Sequence, residues 1–132
     1  MKRDMDLIRI ILLNIEERHK GTVIKNFQVE GYELSEVAYH CKLLYDGGFI
    51  SAYKSENGDD ILQRVAVGGL TWEGNDFLDK IRDNSIWFRT KETIKRKKLP
   101  LIIDTIKAIA TGFITAATEG VVNSIIKNSG QK

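Results

Sequence analysis

Residues 34–67 read LSEVAYHCKLLYDGGFISAYKSENGDDILQRVAV, and the order of elements within them decides the fold. Leu34, Val37, Ala38, Cys41, Leu44 and Tyr45 recur at intervals of three and four, which predicts a helix over 34–46 with one apolar side. Gly47 and Gly48 stop that helix, since glycine accepts the backbone angles that end one. Residues 49–56 and 61–67 then alternate as strands, and Asn57-Gly58 between them predicts a tight hairpin turn, where both residue types tolerate positive φ.

Upstream, Asp4 is placed to cap a helix whose Met5, Ile8, Ile11, Leu12 and Ile15 form an apolar stripe. Arg18, His19 and Lys20 sit where the helix dipole favours cations, and Gly21 suits a left-handed position beyond the end. Residues 22–33, rich in β-branched and aromatic side chains, predict a strand and then a turn at Gly31. Downstream, Thr71 predicts the cap of a helix that turns Phe77, Leu78 and Ile81 inward, with Trp72 nearby and Gly74 admitting a close neighbour. Ser85 is placed to cap a short basic helix over 86–98. Leu99-Pro100 breaks the chain, and a last helix runs from Leu101 to about Lys127, closed by Gly130. On that helix Ile102, Ile106, Ile109, Ala110, Phe113, Ala117 and Val121 share one face.

Helix, strand, helix, hairpin, helix is the winged helix-turn-helix order, so the expected fold class is α+β, mainly α. It comprises a winged-helix domain over 1–84, and a basic helix plus a long amphipathic helix over 85–132. The helix-turn-helix looks degenerate, because residues 22–33 read as strand and turn where a supporting helix should precede the recognition helix. Three stretches, MKRDMDLIRIILLNIEE, EVAYHCKLLYDGGFI and GLTWEGNDFLDKIRD, carry a likeness that covers roughly residues 1–98. Their YH-x-KLL helix, glycine-led wing and LTWEG helix resemble a bacterial and phage family known as a domain of unknown function. That resemblance implies a winged-helix fold and a prophage setting, and it implies no activity.

At 132 residues, 42% apolar and 29% charged, the chain is sized for one globular core with appendages. The single cysteine, Cys41, has no partner for a disulfide, and MKRDMD lacks the start of a secretion signal, so the expected location is the reducing cytoplasm. A net charge of +2 hides an uneven distribution: residues 34–84 carry nine acidic against five basic side chains, and residues 85–132 carry nine basic against three acidic. Positive potential therefore belongs to the C-terminal third.

No nucleophile elbow, P-loop, dinucleotide fingerprint or HExxH pair is present, so no enzyme, cofactor or metal is expected. His40 and Cys41, being adjacent, point about 100° apart on a helix and cannot grip one ion together. On the outward side of the 34–46 helix lie Glu36, Tyr39, Leu43 and Asp46, flanked by His40 and Lys42. The hairpin tip adds Glu56, Asp59 and Asp60. Such acids repel phosphate, so DNA contact is expected from Arg89, Lys91, Lys95, Arg96, Lys97 and Lys98, with His40 and Lys42 at the margin. Tyr39 and Leu43 are the expected contacts for a protein partner. Ile102, Ile106, Ile109 and Phe113 are the expected surface for pairing two copies, helped by Gly112, Ala116 and Gly120 at every fourth position. A membrane span is not expected, because Asp104, Lys107 and Glu119 interrupt the segment. Two functions follow: a DNA-binding regulator acting as a dimer, or a protein-interaction module or phage-encoded inhibitor on the same scaffold.

Overall fold

The computed structural model describes residues 1–129. It is an α+β, mainly helical chain in the order α1 (Met5–Arg18), α2 (Leu34–Asp46), β1 (Tyr53–Gly58), β2 (Ile61–Val67), α3 (Trp72–Ile81), α4 (Asn84–Arg96), α5 (Ile103–Ser129). Two compact units divide between Asp79 and Lys80, within α3.

In the first unit, α1 begins where the Asp4 carboxylate accepts the Leu7 amide at 3.1 Å. Its inner face, Met5, Leu7, Ile8, Ile11, Leu12 and Ile15, is buried together with Val37, Ala38, Cys41 and Leu44 of α2. Val65 and Val67 of β2, Phe77 and Leu78 of α3, and Ile50 complete this core. Tyr45, expected on the inner face of α2, is exposed, because it falls in the last turn beyond the covering elements.

The end of α2 is built from local hydrogen bonds. The Phe49 amide donates to the Leu44 carbonyl at 2.8 Å and the Gly48 amide to the Tyr45 carbonyl at 3.0 Å, with Gly48 at φ +82°. This double closure requires a left-handed residue between its two donors, which is why the second glycine stands there. Residues 22–33 do not form the expected strand. Ile24 exchanges a pair of hydrogen bonds with Val67 as a single bridge, and the Phe27 amide donates to Val65 at 2.6 Å. Asn26 at φ +56° and Gly31 at φ +87° turn the segment away before it can pair further. Phe27 and Val29 are nonetheless buried, so the apolar side chains follow the expectation although the backbone does not.

The hairpin is antiparallel, but its turn is displaced from the expected place. Gly58 pairs with Ile61, which leaves Asp59 and Asp60, at φ +52° and +63°, as the two turn residues. Asn57 lies inside β1, opposite Leu62, and the register slips between Glu56 and Asn57. A one-residue bulge at Gln63 absorbs the slip, and the turn lies two residues further along the chain than expected.

Thr71 caps α3: its hydroxyl donates to the Gly48 carbonyl at 2.6 Å and accepts from the Gly74 amide at 3.1 Å. A side chain at Gly74 would collide with the Phe49 carbonyl, so the close approach expected there is real. Trp72 points outward and is 84% exposed, unlike its expected position near the core.

In the second unit, Asp83 and not Ser85 caps α4, accepting the Ile86 amide at 2.9 Å. Trp87, Thr90 and Ile94 are buried. Helix α4 packs on α5, with the Arg89 guanidinium 4.8 Å from the centre of the Phe113 ring. Pro100 lies outside α5, which begins at Ile103. Ile106 and Ala110 are fully buried, and from Thr115 to Asn128 every residue is exposed. Gly130, expected to close α5, lies outside the described residues.

Candidate functional site

Helix α2 occupies the place expected of a recognition helix, and its polar groups are largely engaged inside the chain. His40 is buried, with both ring nitrogens occupied: the Asp4 amide donates to Nε2 at 2.8 Å, and Nδ1 lies 2.7 Å from the Glu36 carbonyl. An acceptor at Nε2 and a carbonyl at Nδ1 define the neutral ring protonated on Nδ1. His40 is therefore removed from the DNA contacts; it satisfies the first backbone amide ahead of α1, a role that helical periodicity alone does not reveal. Tyr39 is half-buried and meets the His40 ring edge-on at 5.2 Å, and Leu43 is also half-buried.

Lys42 is exposed, and its Nζ donates to the Asp46 carboxylate at 2.8 Å one helical turn away. That hydrogen bond, reinforced by the Asp46 charge, raises the Lys42 pKa. An exposed pair of this kind contributes little to stability, yet it cancels the positive charge that phosphate would meet. Cys41 is fully buried, and burial pushes its thiol up to about 12. It is a protonated core side chain at neutral pH. Among the described residues, no three His, Cys, Asp or Glu side chains converge as a metal would require.

The hairpin tip keeps its acids exposed at Glu56, Asp59 and Asp60, with Arg64 only 4.0 Å from Glu56. Helix α4 has the opposite character. Trp87, Thr90 and Ile94 define its buried side, which leaves Arg89, Lys95 and Arg96 outward, followed by exposed Lys97 and Lys98. Lys91 is half-buried, with its ammonium 5.3 Å from the Trp87 ring. Glu92 is the acid of this face. Sequence reasoning missed the aromatic among these cations: Phe88 is 61% exposed and lines a groove of about 400 Å³ with Lys91, Lys95, Leu99 and Leu101. Placing the helix cap at Asp83 and the buried face at Trp87 and Ile94 was the signal that could have turned Phe88 outward.

On α5 the expected pairing surface divides. Ile106 is fully buried within the chain and cannot face a second copy, because the first turns of α5 are covered by α4. Ile109 and Phe113 are half-buried, Phe113 beneath Arg89, and Ile102 precedes the helix, 39% exposed. The exposed apolar residues that the expectation did not include are Val122, Ile125 and Ile126, beside Val121. Ile103–Asn128 is long and apolar enough to cross a membrane by length and composition, with a mean hydropathy of 1.3 over an 18-residue window.

These features define a mainly helical α+β protein with one antiparallel hairpin, whose acidic and basic surfaces lie on different elements. The chain belongs to the hypothetical-protein family DUF2513, whose family model matches residues 2–100. This is the stretch on which the YH-x-KLL and LTWEG motifs carried the likeness. An uncharacterized protein of Haemophilus influenzae (strain Rd) is 40% identical over 119 residues, spanning 87% of this chain and 97% of that protein. No solved structure matches the chain.

Proposed function

We propose that the chain is a non-catalytic DNA-binding regulator on a winged-helix scaffold, which grips phosphates through α4 instead of reading bases through α2. The order of α1, α2, hairpin and α3 supports the scaffold. The observation that carries the binding mode is the outward display of Arg89, Lys95, Arg96, Lys97 and Lys98 around an exposed Phe88. Cations supply sequence-independent attraction to the backbone, and an exposed aromatic ring offers a surface on which an unpaired base can stack. Bases are not read by α2 in this mode, since His40 is enclosed and Lys42 is paired.

The test is a salt titration of binding to duplex and single-stranded DNA. Each phosphate contact contributes about 0.9 to the slope of log affinity against log salt for duplex DNA. Replacing Lys95, Arg96 and Lys97 by alanine should therefore lower the slope by about 2 to 3 and weaken binding to all sequences alike. An unchanged slope, or no binding at low salt, sinks the reading.

A second reading has its own observation in the acids of the hairpin tip. Exposed Glu56, Asp59 and Asp60 suit a basic protein partner, with Tyr39 and Leu43 as half-buried apolar contacts. A purified partner whose binding survives Tyr39→Ala unchanged would remove this alternative.

A further inference from the structure

We infer that the distal half of α5 is a self-pairing surface on which two copies lie antiparallel, along a seam of Ile114, Thr118, Val121 and Ile125. The proposal does not rest on phosphate binding. At 100° per residue these four side chains fall within roughly 60° of one another around the helix axis. Buried Ala110, near the start of α5, lies within roughly 20° of Val121 and 40° of Ile114 around the same axis, and buried Ile106 is turned further away. The distal stripe thus carries that face on beyond the turns that α4 covers, and from Thr115 onward it is bare. Val121 and Ile125 are each 60% exposed, and nothing within the described residues covers them.

The occupant follows from three features. The seam spacing of four, three and four reads the same in both directions, so a two-fold axis between residues 119 and 120 sets Ile114 against Ile125 and Thr118 against Val121. Thr118 can satisfy its hydroxyl on its own helix carbonyls. Next, charge selects the orientation. A parallel pair would bring Lys95, Arg96, Lys97 and Lys98 of both copies to one end; an antiparallel pair separates the clusters by on the order of 50 Å, several Debye lengths at physiological salt. Within the seam the single charge, Glu119, lies off the stripe.

Length argues against a bilayer as the occupant. With α5 held by α4 as far as Phe113, the exposed residues from Thr115 to Asn128 rise only about 21 Å. That is short of the roughly 30 Å of a hydrocarbon core. Pairing buries on the order of 1,000 Å² across both copies, the lower limit for a specific interface, so a dimer dissociating at on the order of 10 µM is expected.

The experiment is sedimentation of the full chain over concentration, with two single-cysteine additions, Ile114→Cys and Ile125→Cys. Buried Cys41 does not compete for oxidation. A concentration-dependent dimer is expected, with disulfide formation when the two variants are mixed and little in either alone, because a disulfide needs Cα atoms within about 7 Å. Val121→Asp should raise the dissociation constant at least tenfold while circular dichroism stays unchanged, and Glu119→Ala should leave it within twofold. A chain that stays monomeric at 200 µM, cysteine variants that each link to themselves, or recovery with lipid vesicles as a monomer would each overturn the inference.

Discussion

At Gly74 the backbone of α3 passes so near the Phe49 carbonyl that even a methyl group has no room, and that carbonyl is itself held by the Thr71 amide at 3.1 Å. Gly74→Ala should therefore cost about 1 to 3 kcal/mol, read as a shift in the denaturation midpoint. This contact gives the LTWEG motif its physical content: threonine caps, tryptophan faces water, and glycine lets helix and loop touch. His40 shows the reverse case, a polar residue whose use was hidden. His40→Ala leaves the Asp4 amide without its acceptor and opens a void, so a loss of about 2 to 3 kcal/mol is expected from chemical denaturation. The Thr90 hydroxyl is buried without a partner among the described residues, and Thr90→Val should be neutral or stabilising by up to about 1 kcal/mol. Cys41 has its thiol raised to about 12, so at pH 8 it should resist a thiol reagent in the native state and react at once in denaturant. Rapid native labelling would show that α2 opens. Burial at Cys41 was legible from periodicity; the bond from Asp4 to His40 was not, because its partners lie 36 residues apart.

Among the elements, the hairpin separates what a dipeptide preference predicts from what register imposes. Asn57-Gly58 is the better turn pair in isolation, yet the turn falls at Asp59-Asp60, both left-handed. Val65 and Val67 are buried, and the inward positions of β2 are set by that burial. The turn then accommodates the register, with a bulge taking up the difference. Replacing Asp59-Asp60 by Asn-Gly should stabilise the chain by about 0.5 to 1 kcal/mol, because both angles would become those the residues favour. A destabilised variant in thermal unfolding would count against a two-residue turn at this place. Helices α1 and α2 were legible because their apolar stripes and ends are local. The segment 22–33 was not: its apolar content matched a strand, but Asn26 and Gly31 curve it after one bridge, and only the position of β2 reveals that.

For the whole molecule, the division between Met1–Asp79 and the residues from Lys80 onward separates acidic surface from basic surface. The exposed half of α5 makes no contribution to either buried core, so ending the chain after Ile114 should leave the midpoint of unfolding in dilute solution nearly unchanged. The full chain, if it pairs, should unfold at temperatures that rise with protein concentration, and the shortened one should not. Concentration-independent unfolding of both would deny pairing any energetic weight. The sequence alone determined the number and order of the main helices, the hairpin, the apolar core of the first unit, the uneven charge and the family, because each is written in local spacing or composition. Tertiary structure decided that His40 is enclosed, that Ile106 is spent on α4, that Phe88 faces outward and that the distal side chains of α5 are left bare. Those outcomes depend on which surfaces meet across tens of residues, and no periodicity within a single element carries that information.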